Sequence, residues 1–228
     1  MSLADPTPDN APASLQRPLV IGICGGIASG KSVVTGQLEK LGAAVIRADI
    51  IGHQVLQLEE VRKALIDRFG SIILAPETTE VSRYALANLV FGDHEQAKQN
   101  RLYLETLTHP RIRQTIYETL QRWQSQAAPP RAIVLDIPLL LESGYASQCD
   151  EIIFIRTPLE QRLQYAAQRG WNKSQYHARE AAQLPLLEKE KRSTVIFDNR
   201  GTLTDLQSQV TQWYDARTGQ TTTGGMRL

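Results

Sequence analysis

Five short apolar segments divide the chain and predict the strands of one β-sheet. They are residues 19–24, 45–46, 132–135, 152–155 and 195–197. The first segment, LVIGIC, is apolar almost without interruption, which is typical of a strand that is buried on both faces of a parallel sheet. We expect the ordered chain to begin at Pro18, where a polar, proline-rich stretch gives way to this segment.

Helical periodicity fills the stretches between these segments. Residues 31–41 and 203–214 show it, and residues 50–126 show it throughout. Short apolar strands that alternate with helices indicate an α/β fold with a doubly wound, parallel, five-stranded sheet. The long helical stretch, residues 50–127, is then an insertion between strands, and a more polar helical segment covers residues 158–193.

The length of the chain predicts one elaborated domain. With 228 residues it is about one and a half times the length of a typical domain. We expect a single domain over residues 18–217. A disordered tail, residues 1–17, precedes this domain in the prediction, and a flexible Thr/Gly-rich tail, residues 218–228, follows it.

Charge and cysteine content narrow the class of protein. Lys and Arg number 25 against 24 Asp and Glu, which argues against a dedicated nucleic-acid binder or a polybasic membrane-surface protein. Two cysteines, Cys24 and Cys149, make no disulfide framework. No apolar run reaches the roughly 18 residues of a spanning helix. We expect a cytoplasmic monomer without nucleic-acid or membrane partners.

The strongest chemical signal lies between the first predicted strand and the first predicted helix. Residues 25–32 read GGIASGKS, a complete G-x-x-x-x-G-K-[ST] motif. Glycines let backbone N–H groups turn towards phosphate oxygens, and the helix directs its positive end at the same anion. A chance glycine-rich turn is the alternative. The predicted ATP-binding residues are Gly26, Ile27, Ala28, Ser29, Gly30, Lys31, Ser32 and Val33.

Three side chains have predicted roles around the triphosphate. Lys31 is expected to reach the β- and γ-phosphates, and the Ser32 hydroxyl is expected to ligate Mg²⁺. Asp136 ends the third apolar segment like a Walker B carboxylate and would hold the same ion, directly or through water. A turn-forming aspartate is the alternative. The expected cofactors are ATP, as phosphoryl donor, and Mg²⁺.

The phosphate motif alone does not separate a kinase from a GTPase or a motor. A GTPase needs an Asn-Lys-x-Asp segment after a late strand, and the nearest candidate, residues 197–200, reads FDNR. A motor usually needs larger machinery than 228 residues. A small kinase therefore fits best.

Six segments resemble those of dephospho-CoA kinases, in the same order. They are residues 25–32, residues 48–51 (ADII), Arg83 with Leu86 and residues 90–91, residues 108–110 (THP), residues 136–142 (DIPLLLE) and residues 198–201 (DNRG). The resemblance extends over about residues 18–214. It implies a P-loop core with a helical substrate-binding domain and a lid. It also implies transfer of the γ-phosphate of ATP to the ribose 3′-hydroxyl of dephospho-CoA, the last step of coenzyme A synthesis.

Asp49 is the candidate catalytic base. It is predicted at the carboxyl end of the second strand, where a carboxylate can orient the attacking hydroxyl and accept its proton. The matching aspartate of the family is its proposed catalytic base. An N-cap of the helix from Ile50 is the alternative, and the two roles can coexist.

The resemblance also implies acceptor-site residues beyond Asp49. They are Arg83, His109, Pro138, Leu139 and Leu140. All but Pro138 have a simpler explanation: Arg83 is a solvated or ion-paired surface cation, His109 with Pro110 starts the helix that follows, and the leucines are plain core.

The predicted lid carries a surplus of positive charge. Residues 156–200 contain nine cations and five anions, and a mobile basic lid would supply donors to the transferred phosphate and exclude water. Arg169 is the first catalytic candidate, followed by Arg162 and Arg192, although solvated ion pairs explain most of these cations individually. Tyr165 stands where the family commonly has an arginine, and Arg47 where some relatives have a second aspartate.

Two other functions stay open on the sequence alone. One is a nucleoside monophosphate or other small-metabolite kinase on the same core. The other is a nucleotide-gated regulatory module that keeps the loop without the chemistry. Asp49, Asp136 and a basic lid together argue against the second.

Overall fold

Five strands pair in parallel into one sheet at the centre of the protein. The computed structural model describes residues 17–92 and 94–219 and gives the spatial order β2-β3-β1-β4-β5. The strands are β1 (Leu19–Gly25), β2 (Ala44–Arg47), β3 (Ala132–Asp136), β4 (Glu151–Arg156) and β5 (Val195–Asp198). The predicted α/β class and parallel sheet are confirmed. Apart from Arg17, Thr218 and Gly219, the predicted tails lie outside the described residues.

Helices connect the strands and cover both faces of the sheet. In chain order they are α1 (Lys31–Lys40), α2 (Ala48–Gln57), α3 (Glu59–Phe69), α4 (Arg83–Val90), α5 (Glu95–Gln124), α6 (Leu159–Gln168), α7 (Lys173–Ala181), α8 (Leu186–Lys191) and α9 (Leu203–Thr218). Two short 3₁₀ helices, Ser71–Ile73 and Tyr145–Gln148, interrupt the loops. Across the described ranges, no helix has both the length and the apolar character needed to span a bilayer.

Side chains of β1 pack into two separate apolar layers. Val20 and Cys24 belong to the layer that includes the helices of the insertion, and Ile21 and Ile23 belong to the layer that includes α1 and α9. Burial of an aliphatic side chain is worth about 1.5–3 kcal/mol, so alternate residues of β1 stabilise opposite faces. This two-sided burial explains the nearly continuous apolar run of the first segment.

The predicted insertion is helical, with one isolated antiparallel bridge between Leu74 and Val81. Its longest helix, α5, continues through Pro110, so the alternative in which Pro110 begins a helix is wrong. Proline removes one N–H from the helix interior. Next to it, the Thr108 hydroxyl donates to the carbonyl oxygen of Leu104 at 2.8 Å, and the Arg111 guanidinium donates to a carbonyl of the preceding turn. Neither bond reaches the carbonyl of Thr106, which would accept from residue 110 in a regular helix, so α5 continues across one missing backbone bond.

The parallel arrangement brings three chain segments to one edge of the sheet. The glycine-rich loop follows β1, α2 follows β2, and Asp136 ends β3. Because β3 pairs with both β1 and β2, these three carboxyl ends are neighbours. Ligands of open α/β sheets bind at this edge.

Candidate active site

The loop between β1 and α1 has the backbone form of a phosphate-binding turn. Ala28 and Gly30 adopt left-handed conformations, with φ of 57° and 96°. The Ser29 amide donates to the Gly26 carbonyl at 3.3 Å, which closes the turn. Because α1 begins at Lys31, its first N–H groups and its positive end are directed at the loop. The local geometry suits an anion with several phosphates.

Lys31 lies over the loop that it follows. Its Nζ donates to the Gly26 carbonyl oxygen at 2.7 Å. Burial, followed by the nearby charge of Lys189, lowers the pKa of Lys31 to about 8. An ammonium in this position gains from any anion that enters the loop, because the anion would offset both effects.

Asp136 interacts electrostatically with Lys31 beside the loop between β1 and α1, here called the P-loop, and with residues around the end of β2. Burial raises the pKa of its carboxyl; the charge of Arg47 opposes this shift, that of Asp49 adds to it, and that of Lys31 opposes it. Asp136 therefore lies within electrostatic range of both Lys31 and Asp49. Arg47, which stands where some relatives have a second aspartate, pairs instead with Glu39 through two hydrogen bonds of 3.0 and 2.6 Å.

Asp49 lies in the first turn of α2, a different position from the predicted one. The strand β2 ends at Arg47 and the helix begins at Ala48, so the placement of Asp49 at the strand end is wrong by two residues. The N-cap alternative is also wrong, because Arg47 occupies that position and caps with no side chain. The carboxylate is exposed rather than engaged by its own helix.

Five of the six predicted acceptor residues line one cavity of 410 Å³, here named the Asp49 cavity. They are Asp49, Arg83, His109, Pro138 and Leu139. The sixth, Leu140, belongs to the core, which corrects its predicted place in the site. It is 1% exposed, and a Cβ at Gly22 would lie 2.6 Å from its Cδ2. The side chain therefore fills the space that a glycine leaves under β1.

A second cavity, of 320 Å³, lies on the P-loop side and is here named the Arg169 cavity. Its walls include Ser32, Val33, Arg169, Asn199, Leu203 and Leu206. Predicted ATP-binding residues and the first lid candidate are thus brought together. The Asp49 cavity and the Arg169 cavity share no lining residue.

Asn199 and Thr157 hold the P-loop from outside. The Thr157 hydroxyl donates to the Ser29 carbonyl oxygen at 2.7 Å, and Asn199 Nδ2 donates to the same oxygen at 3.2 Å. Both side chains are buried, so water does not compete for these bonds. The bonds attach the loop to the residue that follows β4 and to the residue that follows β5. Sequence reasoning missed this role; the only signal was that Asn199 belongs to the DNRG segment of the resemblance.

The model of the dephospho-CoA kinase family matches residues 19–205 of this chain, from the first strand into the last helix. The chain belongs to the dephospho-CoA kinase family. Similar dephospho-CoA kinases include that of Symbiobacterium thermophilum, 38% identical over 203 residues (88% of this chain and 82% of that one). That of Lactobacillus johnsonii is 35% identical over 192 residues, covering 83% and 93% of the two chains.

Solved structures agree with this family assignment. A crystal structure of a Thermus thermophilus protein aligns with a TM-score of 0.69 at 32% identity, covering 88% of this chain and 98% of that one. A dephospho-CoA kinase from Campylobacter jejuni aligns with a TM-score of 0.64 at 26% identity, covering 87% and 96%.

Tyr165 occupies the position at which dephospho-CoA kinases commonly have an arginine, as the resemblance implies. It lines the Arg169 cavity, and its hydroxyl accepts a hydrogen bond from Gln161 at 2.8 Å. Arg169 follows as the C-cap of α6 and its charge acts on Lys31. Of the three lid candidates, Arg169 is the one that lines the cavity beside the P-loop.

Arg162 is a buried network residue and not a lid cation directed at a ligand. It is 5% exposed, pairs with Glu180 and donates to the Tyr176 hydroxyl and to the Thr157 carbonyl oxygen. Its Nη1 lies 2.7 Å from the position that a Cβ would take at Gly26. Arg162 thus supports the P-loop from behind. The third candidate, Arg192, is exposed at the C-cap of α8.

An ion pair that the sequence did not single out joins the predicted lid to the loop after β3, residues 137–142, here named the acceptor loop; its lysine is buried and its carboxylate is not. Lys189, 2% exposed, pairs with Glu142 at 3.0 Å and donates to Gln183 at 2.8 Å. The Leu184 amide donates to the same Glu142 oxygen at 3.0 Å. In the sequence, Lys189 is one of nine cations in its segment, and only the fold distinguishes it.

Proposed function

We propose that this protein transfers the γ-phosphate of ATP to the ribose 3′-hydroxyl of dephospho-CoA, giving coenzyme A and ADP. The observation that carries the proposal is the position of Asp49. It lines a cavity with the predicted acceptor residues and acts electrostatically on Asp136 at the P-loop edge of the sheet. Membership of the dephospho-CoA kinase family supplies the acceptor.

The donor side is supported by the P-loop and the Arg169 cavity. Backbone N–H groups of residues 26–33 and the N-terminus of α1 would hold the phosphates, with Lys31 on the terminal ones. Apolar side chains of Val33, Leu203 and Leu206 line the Arg169 cavity and offer a surface for the base. Arg169, on the wall of the same cavity, would add a forked donor to the charge that spreads over the transferred group.

Ser32 and Asp136 are suited to Mg²⁺. A hydroxyl and one carboxylate at the end of β3 are few ligands, but Mg²⁺ is commonly held by one or two carboxylates together with substrate phosphates and water. The residues thus fit a metal that is shared with the nucleotide. When bound, the ion would neutralise charge on the phosphate oxygens.

On the acceptor side, Asp49 would orient the 3′-hydroxyl and accept its proton as the oxygen attacks. Arg83 and His109 would position the acceptor from the α4 and α5 walls of the cavity, with Pro138 and Leu139 opposite. Residues of this chain line both cavities, and we propose the monomer as the active form. Both cysteines are unpaired, which supports a reducing, cytoplasmic setting.

The test is ADP release in a coupled assay with dephospho-CoA, compared with AMP, CMP and shikimate. We expect turnover with dephospho-CoA to exceed that with the other acceptors. Absence of turnover with dephospho-CoA would refute the proposal and favour another small-metabolite kinase or a regulatory module.

Asp49→Asn separates catalysis from binding. We expect ATP to bind as before while kcat falls by about 10² or more, the usual scale for loss of a positioned base. Asp67→Asn, an exposed aspartate on α3, is the matched control and should leave kcat unchanged. Unchanged turnover in Asp49→Asn would reduce Asp49 to a structural residue.

A further inference from the structure

A third cavity, larger than the Asp49 cavity, adjoins it. It has a volume of 610 Å³ and lies between α5 and the 3₁₀ helix Tyr145–Gln148; it is here named the Tyr117 cavity. Five residues line both cavities: His109, Arg113, Ile116, Ser143 and Tyr145. The two spaces are therefore neighbours along α5, with the shared residues between them, and are together named the cleft below.

One face of α5 forms the floor of the whole cleft. His109, Arg113, Tyr117 and Leu120 recur at spacings of three and four residues, which places them on the same side of a helix. From His109 to Leu120 the helix rises about 16 Å. The cleft is thus elongated and can hold a ligand that extends well beyond a nucleoside beside Asp49.

The chemistry of the walls changes along this cleft. Among the described residues that line the Tyr117 cavity, Arg113 is the one guanidinium or ammonium group; besides it and His109, the walls are apolar or carry hydroxyl and amide groups, such as those of Tyr117, Gln114 and Gln148. Arg113 stands at the junction of the two cavities, and its guanidinium interacts with the phenol of Tyr145. A cation followed by neutral walls fits a ligand that is anionic near the nucleoside and uncharged further away.

Dephospho-CoA has this distribution of charge. Its adenosine carries a diphosphate at the 5′ position, followed by a neutral arm with two amides and a thiol. We propose that the Tyr117 cavity binds the pantetheine arm and that Arg113 binds the diphosphate, so that this end of the cleft selects dephospho-CoA over shorter adenine nucleotides. The inference rests on the proposed function, because it assigns binding sites to the parts of dephospho-CoA that lie beyond the nucleoside.

Two variants test the two halves of the inference by acceptor kinetics at saturating ATP. Arg113→Ala removes the charged donor, and Gln114→Trp fills the Tyr117 cavity without touching the Asp49 cavity. Arg113→Ala is expected to raise the KM for dephospho-CoA by about tenfold to a hundredfold, the scale of one charge-assisted hydrogen bond. Gln114→Trp is expected to raise it by about tenfold or more, because the indole takes the space of the arm, and kcat should stay within about threefold in both variants. Adenosine, which lacks both phosphates and the arm, should inhibit with an unchanged Ki.

Controls on the same helix are Arg101→Ala and Gln121→Trp, two exposed positions that line neither cavity. Both should keep the wild-type KM. A KM for dephospho-CoA that stays unchanged in Arg113→Ala and Gln114→Trp would overturn the inference, and so would an adenosine Ki that rises in parallel with that KM. Failure of the proposed function is a separate result, because the wild-type protein would then show no turnover with dephospho-CoA.

Discussion

At the scale of single residues, burial decides what each charged side chain near the P-loop does. In the described part of the chain, the Nζ of Lys31 donates to carbonyl oxygens of the loop and to no carboxylate, and burial with the charge of Lys189 lowers its pKa to about 8. Arg162, which the sequence places among the lid cations, has its donors on Thr157, Tyr176 and Glu180. A cation that can bind a ligand differs from one that supports the fold in its exposure and its hydrogen-bond partners, and neither can be read from the spacing of residues in the sequence.

Lys31 makes the binding of ATP dependent on pH. Its pKa of about 8 in the free protein is expected to rise when the triphosphate offsets the burial and the charge of Lys189. Binding at pH 8 should therefore take up about half a proton, and at pH 6 almost none, because Lys31 is already charged there. ATP affinity accordingly weakens as the pH rises above 8. Titration calorimetry in buffers of different ionisation enthalpy measures the uptake directly.

Lys31→Arg supplies the control for that experiment. A guanidinium stays charged over the whole range, so this variant should bind ATP without proton uptake at pH 8. The same uptake in the variant and in the wild-type protein would assign the proton to another group.

Arg162 is expected to contribute to stability. Arg162→Met removes bonds to the Thr157 carbonyl and the buried Tyr176 hydroxyl and should lower the free energy of unfolding by about 2–3 kcal/mol. Arg179→Met is the matched variant: Arg179 is exposed and stacks on Trp171 at 4.3 Å, a contact worth about 1 kcal/mol or less. Urea denaturation compares the two, and equal losses would contradict the assigned role of Arg162.

At the scale of elements, the turn between β5 and α9 supports nucleotide binding. Asn199→Ala deletes the bond to the Ser29 carbonyl and leaves space beside Gly30, whose Cβ position is 3.1 Å from Asn199 Nδ2. We expect the KM for ATP to rise about tenfold, the cost of one buried hydrogen bond, with the KM for dephospho-CoA unchanged. Arg200→Ala, next along the chain but exposed, should leave both KM values near wild type. If the KM for ATP and the KM for dephospho-CoA rose in parallel in Asn199→Ala, the substitution would be destabilising the whole protein and not the nucleotide site alone.

Elements differed in how well the sequence predicted them. The strands and the P-loop were recognisable because buried parallel strands are apolar throughout and the loop needs particular residues at fixed spacing. Asp49 was misplaced because nothing local marks the start of α2, which lacks a capping side chain. The continuous helix at Pro110 was not predicted, because proline is favoured in the first turn of a helix and disfavoured in its interior. Leu140 was misassigned because an apolar loop residue looks the same in a core and in a wall.

At the scale of the whole molecule, the acceptor loop and the predicted lid are joined through one carboxylate. Glu142 lies three residues after Leu139 of the Asp49 cavity, and it holds both Lys189 of α8 and the Leu184 amide before it. Burial tends to raise the pKa of Glu142, but the bonds to Lys189 and Leu184 outweigh it and leave the pKa lowered. The Glu142 carboxylate is therefore charged when it binds Lys189 and the Leu184 amide. The ion pair connects the loop beside the Asp49 cavity to the predicted lid.

A double-mutant cycle measures this connection. Glu142→Gln keeps the Leu184 bond but leaves the buried Lys189 ammonium without its anion and should lower the free energy of unfolding by about 3–5 kcal/mol. Lys189→Met leaves only the solvent-accessible Glu142 carboxylate without its cation and should cost less. Because each single change strands one charge, the double variant should lose clearly less than the two added together, with a coupling of about 1–3 kcal/mol. Unfolding of all four proteins in urea at pH 7 gives the coupling. A value below about 0.5 kcal/mol would mean that the two ions act independently, since distant sites add within that margin, and the acceptor loop would then be joined to the lid only through the backbone bond at Leu184.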